Sequence, residues 1–393
     1  MNIAFLGCGY VAEQYAGTLS LHPDLRAVAA FDLNRDRLDV FARLTGARPA
    51  ASLDALLADR DVALVINLTD PRSHYETTRA CLAAGKHVYS EKPLAMTAAE
   101  ARRLAELAQM RGVRLSSAPC SVLGESAQTL WRAVRQGTIG PVRLVYAAFD
   151  DGMIAPHQTP WEWQNDSGVP WPAKAEFETG STYQHAGYVL TWLCAMFGNA
   201  RRVTAFASIQ VADKGIAVDG MAPDFTVGCL EFDGGIVARV TCGLTAPRDK
   251  SIMVVGDRGV LSIGNVRDDA APVMYRAVTP SFIEAQVRRR AKWLARWAEA
   301  RLTDAGLGAL LATALPSVRP RQGGMVSADK RVDFLRGPSE LADAIAAGRE
   351  PRLSAAFGAH LVELIERLQY PDRFSDRHVT STFEPMTPMP WAT

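Results

Sequence analysis

Hydrophobic and polar positions follow two textures along the chain. In the first 120 residues, the apolar runs NIAFLG, RAVAAFD, ALVINL, HVYS and VRLSS are strand-length and bounded by turn residues. Between them lie helix-like segments, RDRLDVFARLTG, SHYETTRACLAAG and TAAEARRLAELAQMRG. The last opens on Thr97 with Glu100 three residues on, the pattern of a capping box. Strands alternating with helices predict a doubly wound parallel sheet. After a helical stretch at 123–136, longer strand patterns follow at VRLVYAAF, RRVTAFASIQV, FTVGCLEF, IVARVTCGLT and SIMVVG. Turns such as Asp233-Gly234-Gly235 and Asp257-Arg258-Gly259 separate them, which predicts a mostly antiparallel sheet. The expected organisation is an α/β domain over 1–121 and an α+β domain over 122–393 with a large open sheet and a helical insertion at 281–320. Within that insertion, residues 281–302 set Ile283, Val287, Leu294 and Trp297 near one helical face, with arginines filling much of the rest. This reads as a solvated amphipathic helix, with a subunit contact or an active-site cover as the sharper alternatives.

A length of 393 residues makes two domains the natural expectation, and 48% hydrophobic with 22% charged residues describes a soluble globular chain. A net charge of +1 gives no electrostatic reason to expect nucleic acid or an acidic membrane as partner. The start, MNIAFLGCG, has no export-signal pattern, and no apolar run approaches the roughly 18–20 residues of a membrane span. Six scattered cysteines without a C-x-x-C pair argue against a disulfide framework or structural zinc, so no metal is expected and a reduced, cytoplasmic protein is.

FLGCGYVAEQ puts Gly7 and Gly9 at the end of the first strand, with Tyr10 and Val11 completing the loop and Ala12 where a third glycine would stand. The first glycine permits a tight turn and the second lets the backbone approach a pyrophosphate, at which the next helix points its positive end. Asp32 ends the second strand at about the expected distance of 20 residues. A carboxylate there accepts hydrogen bonds from an adenosine ribose and repels a 2′-phosphate. NAD is therefore favoured over NADP, a preference that Arg35 and Arg37 just beyond could soften.

Next, NLTDPRSHYETTRACLAAGKHVYSEKPLAM ends a third strand at Asn67-Leu68-Thr69, carries His74 on a helix, and ends a fourth strand at Glu91-Lys92-Pro93. The carboxyl ends of such strands face the ligand crevice, so Lys92 is aimed where a nicotinamide and its substrate would meet, with Asn67, Thr69 and His74 as further expected cofactor contacts. The order and spacing of these motifs resemble the glucose–fructose oxidoreductase/inositol dehydrogenase/MocA family over nearly the whole chain. That resemblance implies a Rossmann domain followed by the antiparallel-sheet domain, with Lys92 hydrogen-bonding substrate and cofactor and Glu91 near the nicotinamide ribose. It further implies a homodimer or homotetramer paired through the open sheet face. Independently, moving a hydride off an alcohol carbon requires removal of the hydroxyl proton, a role open to a partly desolvated lysine.

Family members usually carry Asp-x-Gly-x-His at the start of a helix in the second domain. Here EFETGSTYQHAGYVLTWLCAMFG puts Gln184 at the aspartate position and Tyr188 at the histidine position, with His185 one step from the former. On a regular helix, 184 and 188 share a face and 185 lies about 100° away; an irregular helix start would bring them together. His185 has the pKa suited to proton transfer near neutrality, and Tyr188 is the alternative if Lys92 lowers its pKa. Upstream, Trp161, Trp163 and Trp171, together with His157, Asn165, Asp166 and Lys174, form a loop whose flat faces and polar groups suit a polyhydroxylated ring. With Tyr183 and Gln184, these tryptophans and Lys174 are the expected substrate contacts. The expected function is NAD(H)-dependent oxidation or reduction at a secondary hydroxyl of a sugar, cyclitol or sugar derivative. The alternative on the same scaffold is an NAD-dependent glycosidase using transient oxidation, elimination, water addition and re-reduction.

Overall fold

The computed structural model describes residues 1–154, 157–277, 312–319 and 331–393. Its first sheet is parallel throughout and joins β1 (Asn2–Leu6), β2 (Arg26–Phe31), β3 (Arg48–Pro49), β4 (Leu64–Asn67), β5 (His87–Ser90) and β6 (Leu115–Ser117) in the order β3-β2-β1-β4-β5-β6. Sequence patterning expects five of these strands. β3 is an exposed two-residue edge strand with no apolar run to signal it. α1 (Ala12–Ala16), α2 (Arg35–Thr45), α3 (Leu53–Ala58), α4 (His74–Ala83) and α5 (Ala98–Arg111) make the crossovers. The capping box forms as expected: Glu100 N–H donates to Thr97 Oγ1 at 3.2 Å, and Thr97 N–H donates to Glu100 Oε2 at 3.1 Å. Because β1 lies between β2 and β4, the strand order reverses there and opens a crevice at their carboxyl ends.

After α6 (Glu125–Arg135) come β7 (Val142–Asp150), β8 (Ala200–Ser208), β9 (Phe225–Phe232), β10 (Val237–Gly243), β11 (Ile252–Gly256), β12 (Gly259–Ile263), β13 (Met274–Ala277) and β14 (Thr313–Ala314). They form an eight-stranded sheet, β14-β13-β12-β11-β7-β10-β9-β8, antiparallel except for the β7–β10 pair. β14 falls inside the expected helical insertion 281–320 and is strand instead, paired to β13. The helix expected at 281–302 lies outside the described residues.

Strand alternation decides which face is covered. On β7, Val145 and Ala147 point inward and are 1% exposed, while Leu144 and Tyr146 point outward at 40% and 36%. Tyr146 sits opposite Met253 on β11 and Arg239 on β10, whose guanidinium lies 4.7 Å from its ring centroid. The inner face is covered by α6, a π turn at Thr182–Ala186 that follows α7 (Ala173–Thr179), α8 (Gly187–Phe197) and α10 (Ala355–Gln369), while α9 (Arg336–Ala346) packs on β5 and β6 of the first sheet. One apolar core runs through both units, joining Phe5, Ile66 and Tyr89 of the first sheet to Trp192, Val240 and Leu364 of the second unit. α10 also bonds directly to the first unit, where Ala98 N–H donates to Glu366 Oε2 at 2.9 Å. Among the described residues no helix is long and apolar enough to cross a membrane.

Candidate active site

The glycine loop follows β1 into the crevice. Gly7 adopts φ +94°, and a Cβ there would lie 2.7 Å from the Leu68 carbonyl, so the turn tolerates no side chain. At Gly9 an added Cβ would meet nothing within 4 Å. That open backbone is what a pyrophosphate cradle requires, and it fits a dinucleotide. Asp32, at the end of β2, closes the loop: its Oδ2 accepts from Cys8 N–H at 2.6 Å and its Oδ1 from Asn34 N–H at 2.7 Å. Arg37 lines the adjoining recess together with Gly9, Phe41, Asn165 and Val169. Val11 caps α1, and the Tyr10 carbonyl accepts from Asn165 Nδ2 at 3.2 Å.

At the ends of β4 and β5 the polar side chains hold the backbone. Asn67, fully buried, donates to Thr77 and Thr78 at 2.8 and 2.9 Å and accepts from the Thr69 hydroxyl at 2.8 Å. His74 sets its ring nitrogens against the carbonyls of Pro93 and Thr69, at 2.6 and 2.9 Å. Both residues therefore shape the rim of the crevice through backbone and hydroxyl contacts. Glu91 accepts from the Tyr15 hydroxyl at 2.7 Å and from the Lys92 backbone N–H at 2.9 Å, which fixes the start of the cis Lys92–Pro93 turn. Lys92, half-buried, donates through Nζ to Gln184 Oε1 at 3.0 Å.

The helix start in the second unit is irregular. Its π turn at 182–186 brings Gln184 onto Lys92 and His185 beside Asp151, with 3.6 Å between Nε2 and Oδ2. Phe149 stacks on both His185 and Tyr188, at 5.0 and 5.1 Å between centroids. Tyr188 also carries the Arg267 guanidinium 5.0 Å from its ring. Burial, with smaller contributions from Lys92, Lys250 and Arg267, lowers the His185 pKa to about 3, and its Nδ1 is buried without a hydrogen-bond partner among the described residues. Near neutrality His185 is thus a neutral imidazole; the ordinary histidine pKa expected from sequence is displaced by burial. The Tyr188 pKa is raised by burial, against the pull of Arg267 and Lys92. Burial penalises the Asp151 carboxylate, yet the charges of His185 and Lys250 hold its pKa at about 2. Since His185 itself is neutral, the Lys250 ammonium bonded to Asp151 is the charge that counts.

The other expected substrate contacts have protein partners of their own. Lys174 is exposed and pairs with Asp219 at 2.7 Å and Glu178 at 3.7 Å. Tyr183 is 1% exposed and donates its hydroxyl to the Met96 carbonyl at 2.6 Å, so it braces the segment after Lys92. Trp161, Trp163 and Trp171 pack with Phe177 and Leu244 in a small core of their own; Trp163 and Trp171 are tilted, 5.4 Å apart. Their loop then reaches back to the cofactor side, where Ser167 N–H donates to Glu13 Oε2 at 3.0 Å. Sequence reading missed Asp151, Lys250 and Arg267, which arrive from the ends of strands or the turns beyond them. It also missed Glu176 on α7, a buried carboxyl with Oε2 unpartnered among the described residues.

Two family models match the chain: an oxidoreductase family with an NAD-binding Rossmann fold over residues 1–118, and a GFO/IDH/MocA C-terminal domain over residues 127–262. The trans-1,2-dihydrobenzene-1,2-diol dehydrogenase of Mus musculus is 29% identical over 265 residues, 66% of this chain and 73% of that protein. Among solved structures, the aldose-aldose oxidoreductase of Caulobacter crescentus, complexed with glycerol, superposes with a TM-score of 0.72 at 19% identity, over 95% of this chain and 97% of that one. The WlbA dehydrogenase of Bordetella pertussis, in complex with NADH and UDP-GlcNAcA, gives a TM-score of 0.68 at 20% identity, over 96% and 97%.

Proposed function

This chain belongs to the Gfo/Idh/MocA oxidoreductase family, and on that premise we propose that it moves a hydride between a nicotinamide dinucleotide and a secondary carbinol carbon of a sugar, cyclitol or similar diol. The observation that carries the reading is Lys92: a half-buried ammonium at the mouth of β5, between the glycine loop and the π turn, held by a neutral amide. Bound nicotinamide supplies the hydride acceptor or donor. Gly9 gives the pyrophosphate room, and Asp32, at the end of β2, is placed for a ribose. Lys92 hydrogen-bonds the reacting oxygen and carries its proton, while Tyr188 and Gln184 orient the ring. Asp32 favours NAD over NADP, and Arg37 in the same recess is the residue that would moderate the preference. Self-association through the exposed apolar strip of Leu144, Tyr146 and Met253 is the assembly this face suits.

The test is a panel of sugars, cyclitols, diols and aryl glycosides with NAD+ or NADP+, following cofactor reduction and aglycone release together. Lys92→Ala is expected to lose activity by about 10²-fold or more; full activity in that variant overturns the reading. The alternative reading on the same scaffold is glycoside cleavage by transient oxidation. It requires aglycone release without net cofactor reduction.

A further inference from the structure

Arg267 is a cation of the crevice that the reaction above leaves without a task. Its turn follows β12 and is pinned on both sides. Arg267 N–H donates to Asn265 Oδ1 at 2.9 Å, Val266 N–H donates to the Lys250 carbonyl at 2.9 Å, and the Ser126 hydroxyl donates to the Asp269 carbonyl at 2.8 Å. The half-buried guanidinium is thereby held 5.0 Å from the ring centroid of Tyr188. Phe149 stacks on that ring and carries the Lys250 ammonium at 4.6 Å. The two cations differ in their partners. Lys250 is bonded to Asp151 Oδ1, and the other oxygen of Asp151 faces His185 at 3.6 Å. Glu91 is already taken by the Tyr15 hydroxyl and the Lys92 backbone N–H. Among the described residues the Arg267 side chain therefore has no hydrogen bond and no ion pair, and neither its nitrogens nor the Tyr188 hydroxyl is sealed from solvent. A partly desolvated guanidinium without an acceptor is costly unless a ligand supplies one. Lying near an aromatic ring, it still offers a planar fork of N–H donors, which matches the two oxygens of a carboxylate.

Lys92 and Arg267 are both held by one short segment. Gln184 accepts from Lys92 Nζ at 3.0 Å, and Tyr188, four residues on, carries Arg267. Both cations draw the Tyr188 pKa down against burial, as charges close to the same phenol must. We propose that Arg267 receives a carboxylate of the substrate while Lys92 holds the reacting oxygen, so that the substrate is a sugar acid, an aldonate or uronate, and not a neutral sugar or cyclitol. This rests on the role assigned to Lys92 above. Side chains four residues apart on a helix stand about 5–6 Å apart, the span between a carbinol carbon and a carboxylate a few carbons away on the same sugar. The charge also suits a monoanion. Asp151 neutralises Lys250, which leaves Arg267 alone to meet the anionic end, whereas a phosphate would bring a second charge with no second free cation beside it.

Complexes with reduced cofactor test this without turnover. Calorimetry reads the affinity of the protein, saturated with NADH or NADPH, for methyl glucuronide against methyl glucoside and for gluconate against sorbitol. None of the four offers an aldehyde or ketone to the hydride. In at least one pair the carboxylate is expected to bind about 10–10²-fold more tightly than its neutral counterpart. Arg267→Leu removes that preference and leaves cofactor affinity unchanged, and Arg267→Lys, which keeps the charge and loses the fork, retains part of it. No preference in either pair overturns the proposal, as does an Arg267→Leu variant that keeps the preference. A loss in Arg267→Leu that falls on cofactor affinity instead assigns the guanidinium to the pyrophosphate and also overturns it. Lys92→Ala separates the two readings: it is expected to lose turnover and keep the carboxylate preference, whereas full activity overturns the reading of Lys92 and leaves the binding result to stand by itself. Should Arg267→Leu fail to fold, arginine modification of the wild type by phenylglyoxal decides. Gluconate and not sorbitol is expected to shield Arg267 in the peptide map, and equal shielding overturns the assignment.

Discussion

At Gly7 the backbone turns through φ +94° against the Leu68 carbonyl, whereas at Gly9 an added Cβ meets no protein atom within 4 Å. The two glycines therefore fail differently. Gly7→Ala is expected to lower unfolding free energy by about 1–3 kcal/mol, read from denaturant midpoints. Gly9→Ala is expected to stay within about 0.5 kcal/mol of the wild type while losing cofactor affinity, read by fluorescence titration. Lys92 was legible in the sequence because its setting, a strand end followed by a rigid proline, fixes where the side chain emerges. Glu176 was not. Two glutamates stand two residues apart in the same short helix, and only the fold sends one to Arg72 and Lys174 and buries the other without a partner.

Among the elements, the π turn at 182–186 shows what periodicity can and cannot carry. Regular helical spacing separates Gln184 from His185, and the conflict between geometry and chemistry at this point was visible in the sequence as a need for an irregular start. Which residue would meet Lys92 was not visible, since the answer depends on where the turn is pinned. Tyr183 supplies part of that pin through its bond to the Met96 carbonyl. Tyr183→Phe leaves that carbonyl without this donor and is expected to cost about 1–3 kcal/mol in urea unfolding. Lys174 and the tryptophans illustrate a different gap. Aromatic and charged residues in a proline-rich loop announce a packed loop and a recognition loop in the same way, and only the contacts distinguish them.

For the whole molecule, the alternation of strand and helix predicted two sheets of different kinds, and both are present; the strands that escaped notice are an edge pair of two residues and those beyond the turn at 257–259. What patterning could not reveal is that the two units share one core. A single cooperative thermal transition, coincident by circular dichroism and tryptophan fluorescence, is therefore expected, and separate transitions would contradict it. Stability against pH follows from opposed groups. His185 and His360 have folded pKa values of about 3 and 4 against 6.5 unfolded, so protons bind the unfolded chain first and stability is lost as pH falls through that window. Glu176 and Asp269, raised to about 7, and Asp150, raised to about 6, take protons in the folded state first and offset the loss. Below about pH 4, Asp151 and Glu363, held near 2, add a loss with no counterweight. Unfolding midpoints should thus change little between pH 7 and 4 and drop steeply below.

The loop at 165–169 bonds to Tyr10 and Glu13 and lines the recess beside Gly9, so part of the wall beside the glycine loop is contributed by a segment more than 150 residues away in the chain. A dinucleotide bound against Gly9 would lie beside this segment, so its dwell time is expected to depend on these two bonds and hydride transfer on the crevice. Asn165→Ala, by cutting the bond to Tyr10, is expected to speed cofactor release in stopped-flow measurements while the rate of hydride transfer within a single turnover stays as it was. An enzyme built this way can be tuned between a freely exchanging dehydrogenase and one that keeps its cofactor from one turnover to the next, without touching a reacting atom.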